Sequence, residues 1–192
     1  MKRLVCILAA VGTLQAADLP AWWKALSRMP RLESAFVQES ASAVFGKLKK
    51  EGTLQLAKGG RLRVTYQGGT VLVSDGVELI QYDPQTRTAQ RLSLNAATRD
   101  MPLLNILVDP AALEDAYLVK SARADAVTLE PKRKDLLPIT VEGRNGLLKR
   151  VIWVDGTGAR QVLELKNPRV PGKAFPPSVF TFKAPAGTRW IG

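Results

Sequence analysis

The sequence predicts a mainly β protein: a large antiparallel sheet of about ten or eleven strands, with short helices over one face. Three observations predict it. Short apolar runs recur along most of the chain with strand alternation rather than helical spacing. Glycine pairs and Asn-Gly or Asp-Gly steps separate them, as tight antiparallel turns require. The alternation breaks in two places, near the start and in the middle, and both breaks have helical spacing.

Taken in order, Pro20 to Met29 reads as a short helix, with Pro20 near its start and Trp22, Trp23 and Leu26 on one stripe. Trp22-Trp23 suits a core anchor, and a lipid-facing lid is the functional alternative. "AFVQES" is a first strand. In "GTLQLAK", Leu54 and Leu56 share a face opposite Thr53 and Gln55. Gly59-Gly60 turns the chain into "RLRVTYQ", where Leu62, Val64 and Tyr66 alternate strictly with Arg61, Arg63 and Thr65. Gly68-Gly69 turns it again into "TVLVSDG" and "VELIQYDP". "RTAQRLSL" follows, with Leu92 and Leu94 on one face. In "MPLLNILVDPAALEDAYLV", Leu103, Leu104, Ile106 and Leu107 begin one helix, Pro110 ends it, and a second runs from Ala111 to about Asp115. Strands then resume with "YLVKSA", "AVTLEPK", "PITVEG", "LLKRVIWVD", "ARQVLELKNPRV" and "VFTFKAP". A curved sheet under such a lid encloses a volume lined by Leu, Val and aromatic residues, which suits an apolar ligand.

Catalytic chemistry finds little to stand on. The chain has no histidine, which removes the usual general base and the commonest metal ligand. Ser74-Asp75-Gly76 and Asp83-Pro84 read as turns. No glycine-rich loop precedes a helix to cradle a phosphate. Nothing in the sequence pairs the carboxylates of Glu33, Glu39 and Glu51. An enzyme is not expected, nor is a metal or a cofactor.

The first residues have the form of an export signal: Met1-Lys2-Arg3, an apolar stretch from Leu4 to Leu14, and small residues for cleavage after Ala16 or Ala17. The expected organisation is a cleaved signal over residues 1–17 and a single domain over 18–192, soluble in an exported compartment. The only cysteine, Cys6, lies inside the apolar stretch, so lipid attachment there is not expected and the mature chain is cysteine-free. Loss of Lys2 and Arg3 with the signal takes the formal charge from +11 to +9. A basic balance suits anionic partners. Export and scattered basic residues without interleaved aromatics argue against nucleic acid.

"SAFVQ", "GTLQLAKGGRLRVTY", "VLVSDGVELIQYDP", "PLLNILVDP", "VTLEPK" and "FTFKAPAGTRWI", in this order after an exported N-terminal helix, resemble the periplasmic outer-membrane lipoprotein carrier family, LolA. The resemblance covers essentially the whole mature chain. It implies an incomplete β-barrel of about eleven strands, closed by a lid of helices over a cavity for acyl chains. It also implies a monomer that takes acylated lipoproteins from an inner-membrane ABC-type release complex to an outer-membrane receptor lipoprotein. Strand parity and the family cavity together nominate Leu54, Leu56, Val64, Tyr66, Val73, Leu92 and Leu94, with Leu103, Leu104 and Leu107 of the lid, as acyl contacts. In the hairpin 71–84 both faces carry apolar residues, so Leu72 competes with Val71 and Val73 for the wall. The family's lid latch is a basic residue after the second strand, usually Arg before Pro. Lys58 stands there, followed by Gly59, with Arg61 as a substitute; the family's tryptophan in the next strand is Val64. Two alternatives share the fold: a carrier of glycolipid or phospholipid, and an envelope lipid-sensing module. The sensing module usually has a further C-terminal domain, and the receptor relative a lipid-bearing cysteine. Gly192 directly after the last strand, and no such cysteine, weigh against them.

Overall fold

The computed structural model describes residues 19–42, 46–100, 102–110 and 113–191. The signal at 1–17, with Cys6, and the start of the second lid helix at Ala111 lie outside them.

A single sheet of twelve strands holds the molecule together, with spatial order β12-β6-β5-β4-β3-β2-β1-β11-β10-β9-β8-β7. The first meander comprises β1 (Arg31–Ser42), β2 (Gly46–Ala57), β3 (Arg61–Tyr66), β4 (Val71–Asp75), β5 (Glu78–Asp83) and β6 (Thr88–Ser93). The second comprises β7 (Tyr117–Ala122), β8 (Ala126–Pro131), β9 (Ile139–Arg144), β10 (Leu147–Val154) and β11 (Arg160–Arg169). It returns to the centre by pairing β11 antiparallel with β1. The two edge strands do not pair, so the sheet stays open.

This topology dictates the cover. The chain leaves the first meander at one edge and must reach the opposite edge to start the second. α2 (Leu94–Asp100), α3 (Pro102–Val108) and α4 (Leu113–Ala116) make that crossing. α2 packs on β5 and β6, and α3 on β2 and β3. The N-terminal helix α1 (Ala21–Arg28) covers β9 and β10. A second crossing runs the other way: after β11 the chain passes a 3-10 turn at Pro177–Phe180, which packs on β3 and β4, and ends as β12 (Arg189–Ile191), parallel to β6.

Turn chemistry explains the strand ends. Asn145 (φ 53°) and Gly146 (φ 75°) form a two-residue hairpin with both φ positive. At 74–76 the Asp75 carboxylate accepts from the amides of Val77 and Glu78, at 2.8 and 3.0 Å, and Ser74 Oγ accepts from Gly76 N at 3.1 Å. These amides hold the Asp75 carboxyl below its usual range. Asp83 closes the turn at the end of β5, where its carboxylate accepts from Gln85 N at 2.9 Å. Both acidic residues are therefore turn formers.

Three features differ from the sequence reading. Leu94 is the first residue of a helix rather than the last of a strand. Among the described residues the lid has the two helices expected after Met101, α3 and α4, and a further one before them, α2, that the sequence reading did not expect. "VFTFKAP" is not a strand; it forms the 3-10 turn and an extended strap, with the edge strand coming only at 189–191.

Candidate functional site

The two faces of the sheet carry separate apolar clusters. Cross-strand partners share a face, and the register Phe36–Gly52–Tyr66, Leu54–Val64–Leu72 and Leu56–Leu62 defines the inner one. Val127, Ile139, Val141, Val151 and Leu163 continue it across the second meander. With Trp22, Trp23 and Leu26 of α1 and Leu94, Leu104, Ile106 and Leu107 of the lid, these side chains form one buried cluster. The burial of α1 is specific: Trp22 Nε1 donates to the Ala124 carbonyl at 2.9 Å, and its ring lies over Gly143, where a Cβ would come within 2.3 Å of it.

Opposite ends of the inner face differ in chemistry. At one end the Tyr66 ring meets Phe36 edge-on at 5.3 Å, and its hydroxyl donates to Gln38 Oε1 at 3.1 Å. Gln38 then reaches Gln161, whose Nε2 donates to Ser40 Oγ and Asp155 Oδ2, each at 2.8 Å. Burial raises the Tyr66 hydroxyl above its ordinary pKa, so it remains a neutral donor. At the other end, beneath the lid, lies a cavity of about 470 Å³. It is bounded by the end of α1, the start of β1, the β2–β3 turn, and α2 and α3.

Gly60 is where the lid meets the sheet. A Cβ there would lie 2.6 Å from Leu94 Cδ2, 3.2 Å from Gly76 Cα and 3.4 Å from Val108 Cγ1. With φ at 74°, the position also favours glycine conformationally. Lid and sheet are therefore held by close packing at this turn.

The nominated residues sort as follows. Leu56, Leu94, Leu107 and Lys58 line the cavity. Leu54, Val64 and Leu104 are buried in the inner cluster, and Tyr66, Leu92 and Leu103 pack against it half-buried. Val73 is a correction. It pairs with Arg63 and Ile80 on the outer face, where it is buried on the side the C-terminal strap crosses; Leu72, paired with Val64, is the inward residue. Arg61 is a second correction. Its Nε donates to the Lys58 carbonyl at 3.1 Å and its guanidinium lies over the Phe180 ring, at 5.6 Å, on the strap rather than on the lid. Lys58 is exposed, and among the described residues its amine makes no hydrogen bond or ion pair. The sequence reading missed Leu26, Arg31 and Asn105 of the lining. Leu26 was visible as a helical core residue; Arg31 and Asn105 left no periodic signal.

The strap explains why the outer face is also apolar. Phe180 is buried, Arg63 Nη1 donates to the Val179 carbonyl at 3.1 Å, and the Phe182 ring meets Tyr82 at a tilt and Trp190 edge-on, with centroids 5.4 and 6.1 Å apart. Among the described residues there is no cluster of three or more His, Cys, Asp or Glu side chains placed to hold a metal, and no helix long and apolar enough to cross a membrane.

An open half-barrel with an apolar inner face, a helical cover and a cavity beneath it is the architecture of an apolar-ligand binding protein. The family model described as "Outer membrane lipoprotein carrier protein LolA" matches residues 27–183, and the chain belongs to that family. It is 26% identical to the outer-membrane lipoprotein carrier protein of Pseudomonas putida (strain GB-1), over 97% of this chain and 96% of that one. With the protein of the same name from Pseudomonas entomophila (strain L48) it shares 31% identity, over 61% of this chain and 58% of that one. An uncharacterized conserved protein from Thermus thermophilus has a similar fold, with a TM-score of 0.53 at 11% identity, over 88% of this chain and 92% of that one.

Proposed function

We propose that the protein is a periplasmic carrier that shelters the acyl chains of lipoproteins beneath its helical lid. It would receive them from an ABC-type release complex in the inner membrane and deliver them to a receptor lipoprotein at the outer membrane. It would act as a monomer and catalyse no reaction. Residues 1–17 would be its cleaved export signal and 18–192 its single working domain.

The observation that carries this reading is the continuous apolar inner face, which runs from the lid cavity toward Tyr66 and is separated by the sheet from the strap-covered outer face. Burying a methylene contributes about 0.8 kcal/mol, so a triacylated cargo with on the order of 45 methylenes would cost roughly 35 kcal/mol to expose. A water-sized group occupies about 30 Å³ in the liquid. The 470 Å³ cavity thus has room for roughly one acyl chain. Two further chains need α2 and α3 to part from the inner face. The contacts they would give up, at Gly60 and around Leu104 and Leu107, favour the closed empty form and so keep release possible.

Purification from the native periplasm, followed by mass spectrometry of what co-purifies, tests the proposal. Triacylated lipoproteins are the expected cargo. Free phospholipid or glycolipid alone would replace lipoproteins by another lipid, and an empty protein that also fails to bind an acyl photoprobe would end the carrier reading.

A further inference from the structure

We propose that the open sheet edge at β12 docks the protein on an anionic phospholipid bilayer. Trp190 and Ile191 enter the interface, and Arg87, Arg91 and Arg189 meet the headgroups. The proposal goes beyond the carrier reading and does not depend on the lid cavity.

Three observations meet at this edge. Trp190 and Ile191 are large apolar side chains left 44% and 45% exposed. In register, Trp190 continues the outer row Val71–Tyr82–Ala89, and Ile191 the inner row Leu72–Gln81–Gln90. The two side chains therefore leave opposite faces of β12. Trp190 is also held in place: Phe182 meets its ring edge-on, and the Arg91 guanidinium lies 4.9 Å from its centroid. Cations gather beside it. Arg189 N donates to the Arg87 carbonyl at 2.9 Å, and Arg87 Nη1 lies 4.0 Å from a Cβ built at Gly187. Arg91 is paired with Glu78 at 3.4 Å, whereas the Arg87 and Arg189 side chains make no ion pair among the described residues.

This arrangement favours a bilayer over a protein partner. A flat protein surface covers one face of a strand, and β12 offers a partner strand only three residues to pair with. A fluid interface covers both faces at once when an edge dips into it. Tryptophan is favoured at headgroup level, and arginine is drawn to anionic lipid. Water at that depth satisfies the free backbone groups of the edge, which the hydrocarbon core would not. The formal charge of +9 expected of the exported chain adds attraction at long range.

The test measures sedimentation of the periplasmic protein with vesicles of equal parts phosphatidylethanolamine and phosphatidylglycerol, and with vesicles of phosphatidylcholine. The wild type is expected to bind the anionic vesicles about tenfold more tightly. Phospholipid brominated near the headgroup should quench its emission, and Trp190→Phe should abolish the quenching. Arg87→Gln/Arg189→Gln should weaken binding about tenfold. Arg123→Gln/Lys134→Gln, an equal loss of exposed charge on either side of β8, should leave it unchanged. Equal weakening by both pairs would reduce the effect to net charge and overturn the proposal. No preference for anionic vesicles in the wild type overturns it with no variant needed, and so does quenching that survives Trp190→Phe. Binding to polyglutamate without binding to vesicles overturns it too and assigns the edge to an acidic protein. Vesicle docking by a protein that fails to bind an acyl photoprobe would end the carrier reading and leave this proposal standing.

Discussion

Gly143→Ala should loosen the N-terminal helix from the sheet. The new Cβ would fall 2.3 Å from Cε3 and 2.6 Å from Cζ3 of Trp22. That ring has little freedom to retreat: it is 5% exposed, it meets Trp23 edge-on at 5.7 Å, and its Nε1 donates to Ala124. Displacing the indole gives up roughly 2–3 kcal/mol of burial and about 1 kcal/mol of hydrogen bonding. Partial relaxation of α1 would recover some of this, leaving about 3 kcal/mol, or a fall in Tm of about 6–12 °C for a chain of this size. Calorimetry reads the loss, and a red shift of tryptophan emission reads its cause. Because Leu26, Ser27 and Met29 line the cavity, affinity for an acyl probe should fall as well. A variant melting within about 1 °C of the wild type, with unshifted emission, would refute the claim that Trp22 locks α1 onto β9 and β10.

Two pH-dependent predictions follow from turn and core chemistry. Asp155 accepts from the Thr157 hydroxyl, the Thr157 and Ala159 amides and Gln161, and these bonds, Thr157 foremost, hold its carboxyl below 3.8. Its contribution is therefore complete above that value and lost as the pH falls through the lower folded-state pKa. Asp155→Ala should lower Tm at neutral pH, and the gap from the wild type should close in acid; a constant gap across melts from pH 7 downward would contradict this. Burial raises the Tyr117 hydroxyl from 10.0 to about 12, so its contribution is full below pH 10 and is lost as the pH rises toward 12. In Tyr117→Phe the alkaline loss of stability should shrink and the last tyrosinate absorbance step should vanish; a step still present near pH 12 would assign it to another tyrosine.

Strand parity was legible wherever only one face of a strand is apolar. Leu62, Val64 and Tyr66 alternate with Arg61, Arg63 and Thr65, and the alternation matches their faces. It failed for Val73 because the strap makes the outer face apolar as well, and a strand buried on both sides carries no parity signal. Leu94 continued the parity of Leu92 and so concealed the start of α2, whose buried residues, among those described, are Leu94 and Ala97. Apolar residues in "VFTF" imitated a strand, although the prolines at 176, 177 and 185 set the strap conformation.

The lid is the central claim, and a wedge at its contact with the sheet tests it most directly. A Cβ at Gly60 would lie 2.6 Å from Leu94 Cδ2 and 3.4 Å from Val108 Cγ1, so Gly60→Ala pushes the lid off the sheet and weakens the closed empty form. The variant should therefore bind a triacylated lipopeptide more tightly than the wild type and release it more slowly. Affinity and release rate equal to the wild type's would place the acyl site outside the lid.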